Sequence, residues 1–126
     1  MLKVLVVDDS ILARELAREA LADTEFEIVE ARNGAEALER LCAEVVCVLC
    51  DINMPVMDGL EFLEALLDRP NRPPVLVVST ESEVDLVQRA RELGAVGWMV
   101  KPLQKALLEP TVRKLVDRYR GAERCA

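Results

Sequence analysis

Histidine is absent from the 126 residues. That removes every mechanism that turns on an imidazole of this chain: Ser–His hydrolysis, His-ligated zinc, or a phosphohistidine intermediate. Bases are scarce relative to acids, 16 Lys and Arg against 23 Asp and Glu, so the formal charge is −7 and the pI is near 4.7. Gripping DNA needs clustered Lys and Arg to neutralise phosphates, so direct nucleic-acid binding is not expected. No apolar run approaches the roughly 18 residues of a membrane span. The opening seven residues are too short for the apolar stretch of a signal peptide and run straight into two aspartates. A cytoplasmic protein without membrane insertion is expected.

Cysteines number four, and two of them form the C-x-x-C pair Cys47 and Cys50. The pair lies in Val45-Val46-Cys47-Val48-Leu49-Cys50, which reads as a buried strand. Side chains three apart on a strand point to opposite faces, so the sulfurs cannot meet. Cys42 and Cys125 sit elsewhere and complete no metal set. Small buried hydrophobes are the expected role, in keeping with a reducing compartment.

What is present is an alternation of two periodicities. Short β-branched runs at residues 3–7, 26–30, 45–50, 75–79 and 97–100 are apolar on both faces. Between them lie helix-length amphipathic stretches at 11–22, 35–43, 60–68 and 84–93, with a last one ending near Arg120. In the first, Leu12, Leu16 and Ala20 recur four apart; in the second, Ala37, Leu38 and Leu41 share a face. Strands apolar on both sides belong in a parallel sheet covered on both sides. Five such β–α units give a doubly wound α/β sandwich. Asn33-Gly34 and Asp58-Gly59 mark turns into helices, with Asp58 a candidate N-cap, and Gly94 sits where a helix ends. Pro110 would cost about 3 kcal/mol inside a helix, so the last helix is expected to begin near Glu109 with the proline in its first turn, with a longer, kinked helix from Lys105 as the second reading.

Ligands of open parallel sheets bind beyond the carboxyl ends of the strands. Strand one ends in Asp8-Asp9-Ser10, strand three in Asp51-Ile52-Asn53, strand four in Ser79-Thr80 and strand five in Lys101-Pro102. Each carboxylate pair at about 4 Å costs about 4 kcal/mol at an effective dielectric near 20. Lys101 offsets only part of this. A divalent cation is the natural remedy, and hard oxygen ligands suit Mg2+. Such a site can recruit a phosphoryl group, and a carboxylate can then act as nucleophile to give an acyl phosphate. Asp51, on a central strand, is the candidate.

Val6-Val7-Asp8-Asp9-Ser10, the run from Cys50-Asp51 to Asp58-Gly59, Val78-Ser79-Thr80 and Val100-Lys101-Pro102 together resemble the receiver domain of two-component response regulators. The resemblance spans essentially the whole chain, so residues 1–126 are expected to form a single receiver domain. It implies a flavodoxin-like parallel sheet of order 2-1-3-4-5. It implies Asp51 as phosphoacceptor, Asp9 as a direct Mg2+ ligand with Asp8 acting largely through water, and Asn53 giving its backbone carbonyl to the metal. Ser79 and Lys101 are implied to meet the phosphoryl group, Trp98 to be the aromatic switch, and Asn53 and Glu81 to tune the acyl phosphate lifetime. The Lys101–Pro102 bond is implied to be cis. Thr80 stands where the family usually has a small residue, so slower dephosphorylation is expected; Trp98 is bulkier than the usual Tyr or Phe, so inward rotation is expected to be hindered.

The implied partners are a histidine kinase or phosphotransfer protein as donor and a protein target on the face built from the fourth helix, fifth strand and fifth helix. Chemotaxis and a phosphorelay are the two expected settings. The chain is expected to be a switch and no enzyme beyond its own phosphorylation and dephosphorylation. The bases Arg113, Lys114, Arg118, Arg120 and Arg124 near the C-terminus read as solvating a helix end, with partner docking as the second reading. A flavin-binding electron carrier would need a phosphate-cradling loop after strand one, which Asp8-Asp9 would repel, and aromatics are only 3%. An aspartyl phosphatase would want a general acid at position 53, which is Asn. An interaction module indifferent to phosphorylation would not need the Asp-Asp-Asp-Ser-Lys set.

Overall fold

The structure, a computed structural model, describes residues 1–125, with side chains described as far as Gly121. Ten elements alternate along the chain: β1 (Lys3–Val7), α1 (Ile11–Ala20), β2 (Glu27–Ala31), α2 (Gly34–Arg40), β3 (Val45–Cys50), α3 (Gly59–Leu66), β4 (Val75–Ser79), α4 (Val84–Glu92), β5 (Gly97–Val100) and α5 (Lys105–Cys125). The five strands are parallel and lie in the order β2-β1-β3-β4-β5. The order reverses at β1, which is flanked by β2 and β3, so the ends of β1 and β3 face the crevice where a ligand belongs.

Strand residues alternate between two cores because side chains alternate across the sheet. Leu5, Val7, Val48, Cys50, Val75 and Val77 pack with Ala37, Phe62, Leu63, Leu66, Ala90 and Leu93, which covers one face with α2, α3 and α4. Val4, Val6, Cys47, Leu49, Leu76 and Val78 pack with Ala17, Ala20, Leu108, Val112 and Val116, which covers the other with α1 and α5. Cys47 and Cys50 thus fall on opposite faces, and burial pushes the Cys47 thiol up to about 12 and the Cys50 thiol further still. The side chains of Arg124 and Cys125 lie outside the described residues.

Helix starts follow their caps. Ser10 accepts the Ala13 N–H at 3.2 Å and Asn33 accepts the Glu36 N–H at 2.8 Å. Asp58 and Glu61 form a reciprocal capping box, so three of the five helices begin on a side-chain acceptor. Gly94 takes φ +100° after α4, as a helix end requires.

Two expectations need correction. Leu12 and Leu16 do not face the core: they are 64% and 37% exposed. Of the Leu12, Leu16 and Ala20 stripe only Ala20 turns inward, beside Ala17 and the following Leu21, because small alanines let the helix approach the sheet. The last helix begins at Lys105, a turn before Glu109, with Pro110 in its interior. It tolerates the proline because Ala106, whose carbonyl loses the i+4 donor, is exposed to water, while Thr111 Oγ1 donates to the Leu107 carbonyl at 2.7 Å. Leu108, fully buried, anchors that first turn. Replacing Pro110 by Ala restores the missing donor but frees the unfolded chain, which offsets about 0.4–1 kcal/mol. Pro110→Ala is therefore expected to raise the unfolding free energy by about 1–2 kcal/mol, read as a higher urea midpoint at unchanged slope.

Candidate functional site

Four loops meet at the carboxyl edge of the sheet, and backbone bonds fix each one. The Asp8 N–H donates to the Ala31 carbonyl of β2, and the Asp51 N–H to the Val7 carbonyl of β1. The Lys101 N–H donates to the Ser79 carbonyl of β4. These bonds extend the parallel ladders by one residue, so the first side chain past each strand projects from the sheet edge. Gly59 N–H donates to the Ile52 carbonyl, and a Cβ at position 59 would collide with the Asp51 carbonyl. Only glycine lets the loop after β3 fold back this closely.

Asp8, Asp9 and Asp51 each offer an oxygen within 4.8 Å of the others, with Asp8 and Asp51 buried and Asp9 exposed. Lys101 Nζ sits between the two buried acids, 2.7 Å from Asp8 Oδ2 and 3.3 Å from Asp51 Oδ2. Asp51 Oδ1 accepts the Ile52 N–H at 2.8 Å, and Asp8 Oδ1 accepts the Ser10 N–H at 2.9 Å. One oxygen of each carboxylate is therefore tied to backbone, and the other faces the shared space. Burial, then the Asp8 charge, pushes the Asp51 carboxyl above its ordinary value, and Lys101 only partly counters this. Burial alone would lower the Lys101 ammonium pKa, but the hydrogen bond to Asp8 and the charges of Asp8 and Asp51 outweigh it and the net shift is upward.

The β4–α4 loop closes the other side. Ser79, 1% exposed, accepts the Glu81 N–H on Oγ at 3.1 Å, which leaves its hydroxyl proton free to be donated. Asn53 Nδ2 donates to Glu81 Oε2 at 3.0 Å, bridging the β3 and β4 loops. Trp98 Nε1 donates to the Glu81 carbonyl at 2.8 Å, while the indole packs against the core. Thr80 is exposed and lines the groove beside Asp51. The Lys101–Pro102 peptide is cis.

Every residue singled out at the strand ends thus gathers at one edge. Two features escaped the reading of the sequence. Arg14, with a side chain 12% exposed, donates to the Asp8 carbonyl at 2.7 Å and to Glu30 at 3.0 Å, with Arg18 on the same carboxylate; it braces the β1–α1 loop. Its spacing from Asp8, six residues on, carries no signal because the bond is to backbone. The second is an apolar groove of about 370 Å3 that opens beside Asp51 and Lys101 and runs past Leu12, Leu16, Val78 and Leu103. The displaced leucines of α1 form its wall.

A doubly wound sheet with three clustered aspartates at its switch point, two of them bridged by a lysine, is the architecture of a phosphoacceptor signalling domain. The chain belongs to the response regulator receiver domain family, which it matches over residues 4–113. The chemotaxis protein CheY of Listeria monocytogenes is 37% identical over 106 residues, covering 82% of this chain and 89% of that protein. The protein-glutamate methylesterase/protein-glutamine glutaminase of Desulfotalea psychrophila is 35% identical over 130 residues, 94% of this chain. The chain spans 36% of that relative's length. The structure of Vibrio cholerae chemotaxis protein CheY4 superposes with a TM-score of 0.82 at 36% identity, covering 91% of this chain and 98% of that one. Function follows at the family level: the domain is a phosphoacceptor switch, and a flavin carrier on the same architecture is not favoured.

The Asp51 shift fixes the sign of a stability effect. A carboxyl whose folded pKa is raised binds its proton more tightly when folded, so the fold is relatively favoured below the ordinary value of about 3.8 and loses that advantage as pH rises through the folded pKa. Asp51→Asn is therefore expected to raise the melting temperature at pH 7 in chelator-treated buffer. The gain over the native protein should shrink to nothing as pH falls toward about 3.8, followed by calorimetry on matched samples.

Proposed function

We propose that Asp51 is the phosphoacceptor, and that a phosphohistidine of a histidine kinase or phosphotransfer protein is the donor. Among the oxygens of Asp51, Oδ2 is the attacking atom, because Oδ1 is occupied by the Ile52 N–H. The P–N bond of the donor breaks, a P–O bond to Oδ2 forms, and the donor imidazole leaves with its electron pair and takes up a proton. Mg2+ fits the donor set, with Asp8, Asp9, Asp51 and the Asn53 carbonyl as its holders; when bound it neutralises charge on the transferring phosphoryl group. The single observation that carries this reading is the convergence of three aspartate oxygens within 4.8 Å of one another, with Lys101 paired to Asp8 and Asp51.

Lys101 is held more closely by Asp8 than by Asp51, so it can turn toward a phosphoryl oxygen without leaving its tighter partner. The phosphoryl group adds a charge of roughly −2, and the Ser79 hydroxyl is free to donate to it. Ser79 accepts from Glu81, and Trp98 holds the Glu81 carbonyl. Movement of Ser79 therefore loads the bond that seats the Trp98 indole. Asn53 and Glu81 lie over the mouth of the site and tune access of water, and Thr80 narrows it further. The bulk of Trp98 and its bond to Glu81 both resist inward rotation.

Output is read on the face of α4, β5 and α5. Val84 and Val100 are 81% and 49% exposed there, apolar contacts available to a protein partner. The donor is proposed to meet the separate groove of Leu12, Leu16 and Leu103, whose mouth reaches Asp51. Among the described residues no helix is long and apolar enough to cross a membrane, and a cytoplasmic chemotaxis pathway is the setting we favour, on the identity to chemotaxis proteins. Catalysis is limited to the domain's own phosphorylation and dephosphorylation.

Acetyl phosphate with Mg2+ is expected to label the protein in an acid-stable, hydroxylamine-sensitive way. Asp51→Asn or chelation of the metal should abolish labelling; labelling that survives Asp51→Asn would overturn the assignment. Thr80→Ala is expected to speed loss of the label several-fold, and an unchanged rate would remove Thr80 from that role.

A further inference from the structure

The edge of the sheet opposite Asp51 carries a second concavity. Two grooves adjoin there. One, of about 310 Å3, lies among Leu41, Leu66, Arg69, Pro70, Arg72 and Tyr119. The other, of about 290 Å3, lies among Arg72, Gly94, Leu115, Arg118 and Tyr119. They share Arg72, Pro73 and Tyr119 as a common wall.

That wall is preformed. Arg72 Nη1 donates to the Leu67 carbonyl at 2.9 Å, and the Tyr119 hydroxyl donates to the Asn71 carbonyl at 2.7 Å. These bonds fasten the α3–β4 loop to the end of α3 and to α5, with Asn71 in the left-handed region at φ 55°. Leu66, 2% exposed, forms an apolar floor.

The ion-paired bases lie outside these grooves: Arg14 and Arg18 hold Glu30, Arg32 and Arg40 hold Glu36, and Arg113 holds Glu25 and Glu109, while Arg91, Lys114 and Arg120 make no ion pair among the described residues and line neither groove. Among the described residues Arg69, Arg72 and Arg118 take part in no ion pair. Asp68 and Asp117 stand next to two of them in sequence but line neither groove. Single exposed arginines need no explanation. Three without carboxylates, around one apolar-floored concavity on a chain of charge −7, describe a surface complementary to negative charge. Arg is also the base best suited to hold carboxylates in a partner interface. The overall acidity disfavours a nucleic acid there, and the leucines and Tyr119 call for an apolar side chain between the acids.

We infer that this concavity docks an acidic segment of a partner protein, anchored by an apolar residue. The inference does not depend on the assignment of Asp51. β4 separates the two ends, leading from the α3–β4 loop at Val75 to the phosphoacceptor edge at Ser79, about 13 Å at 3.3 Å per residue. A partner held here leaves the phosphoacceptor edge open.

The test uses the full chain, labelled with 15N, titrated with an acetylated twelve-residue peptide of Glu and Asp carrying two leucines. Shift changes are expected to concentrate at residues 41–43, 69–74 and 115–119. The double variant Arg72→Glu, Arg118→Glu should weaken binding at least tenfold, while acetyl phosphate labelling changes less than twofold. Because Arg72 also caps the Leu67 carbonyl, Arg69→Gln with Arg118→Gln serves if the first variant loses spectral dispersion; there a threefold or greater weakening is expected. Binding that neither variant weakens, shifts scattered over the whole surface, or equal affinity for a short DNA duplex or polyphosphate at the same residues would overturn the inference.

Discussion

Everything at the phosphoacceptor edge depends on like charges held closer than they would choose. Two buried carboxylates share one ammonium group, and a third stands exposed beside them. In water such a trio would spread apart. Here the backbone forbids it, because Asp8 and Asp51 are each pinned by N–H groups bonded to the neighbouring strand. The repulsion is thus stored in the fold and is relieved by whatever positive charge arrives. The proposed divalent ion and phosphoryl group fit a site that begins with too much negative charge and too little solvent to screen it. Lys101 keeps the resting state tolerable without neutralising it.

The rest of the architecture can be understood as what is needed to hold that geometry. Parallel pairing of β1 with both β2 and β3 places the two buried aspartates side by side at the switch point. Gly59 lets the chain after Asp51 turn back under its own carbonyl and enter α3. Arg14 and its partner Glu30 brace the Asp8 carbonyl from outside the site. None of these residues belongs to the acidic cluster, yet each fixes the direction of one that does.

The sequence reveals much of this and conceals the rest for identifiable reasons. Strands apolar on both faces, with helical spacing between them, specify a covered parallel sheet with little ambiguity, and acids at successive strand ends then mark the edge. Strand order came from the family resemblance; periodicity alone is blind to it. The α1 leucines misled because i and i+4 spacing identifies a stripe but not which way it turns. Alanines took the inward positions, and that choice depends on how closely the helix packs. Pro110 misleads because the Ala106 carbonyl that it deprives of a donor is exposed to water, which reduces the cost of the missing bond. Arg14 and the arginine-lined grooves are invisible in one dimension, since they are made by residues whose only link is tertiary: Arg72 and Arg118 are 46 positions apart and line the same hollow.

The link from the acidic edge to the proposed output face is short enough to trace bond by bond. Ser79 Oγ holds the Glu81 N–H, the Glu81 carboxylate holds Asn53, and the Glu81 carbonyl holds the Trp98 indole. One residue therefore senses both loops of the phosphoacceptor site and the aromatic ring on β5. Glu81 is only partly buried and precedes α4, whose N-cap Glu83 makes no side-chain capping bond. The start of α4 is in consequence less firmly fastened than the capped starts of α1, α2 and α3. A new charge at Asp51 that draws the Ser79 hydroxyl away competes directly with the Glu81 contact. The segment free to respond is the one that carries exposed Val84. A switch needs an element with two nearly equal arrangements. The uncapped entry to α4 is where this fold leaves room for one.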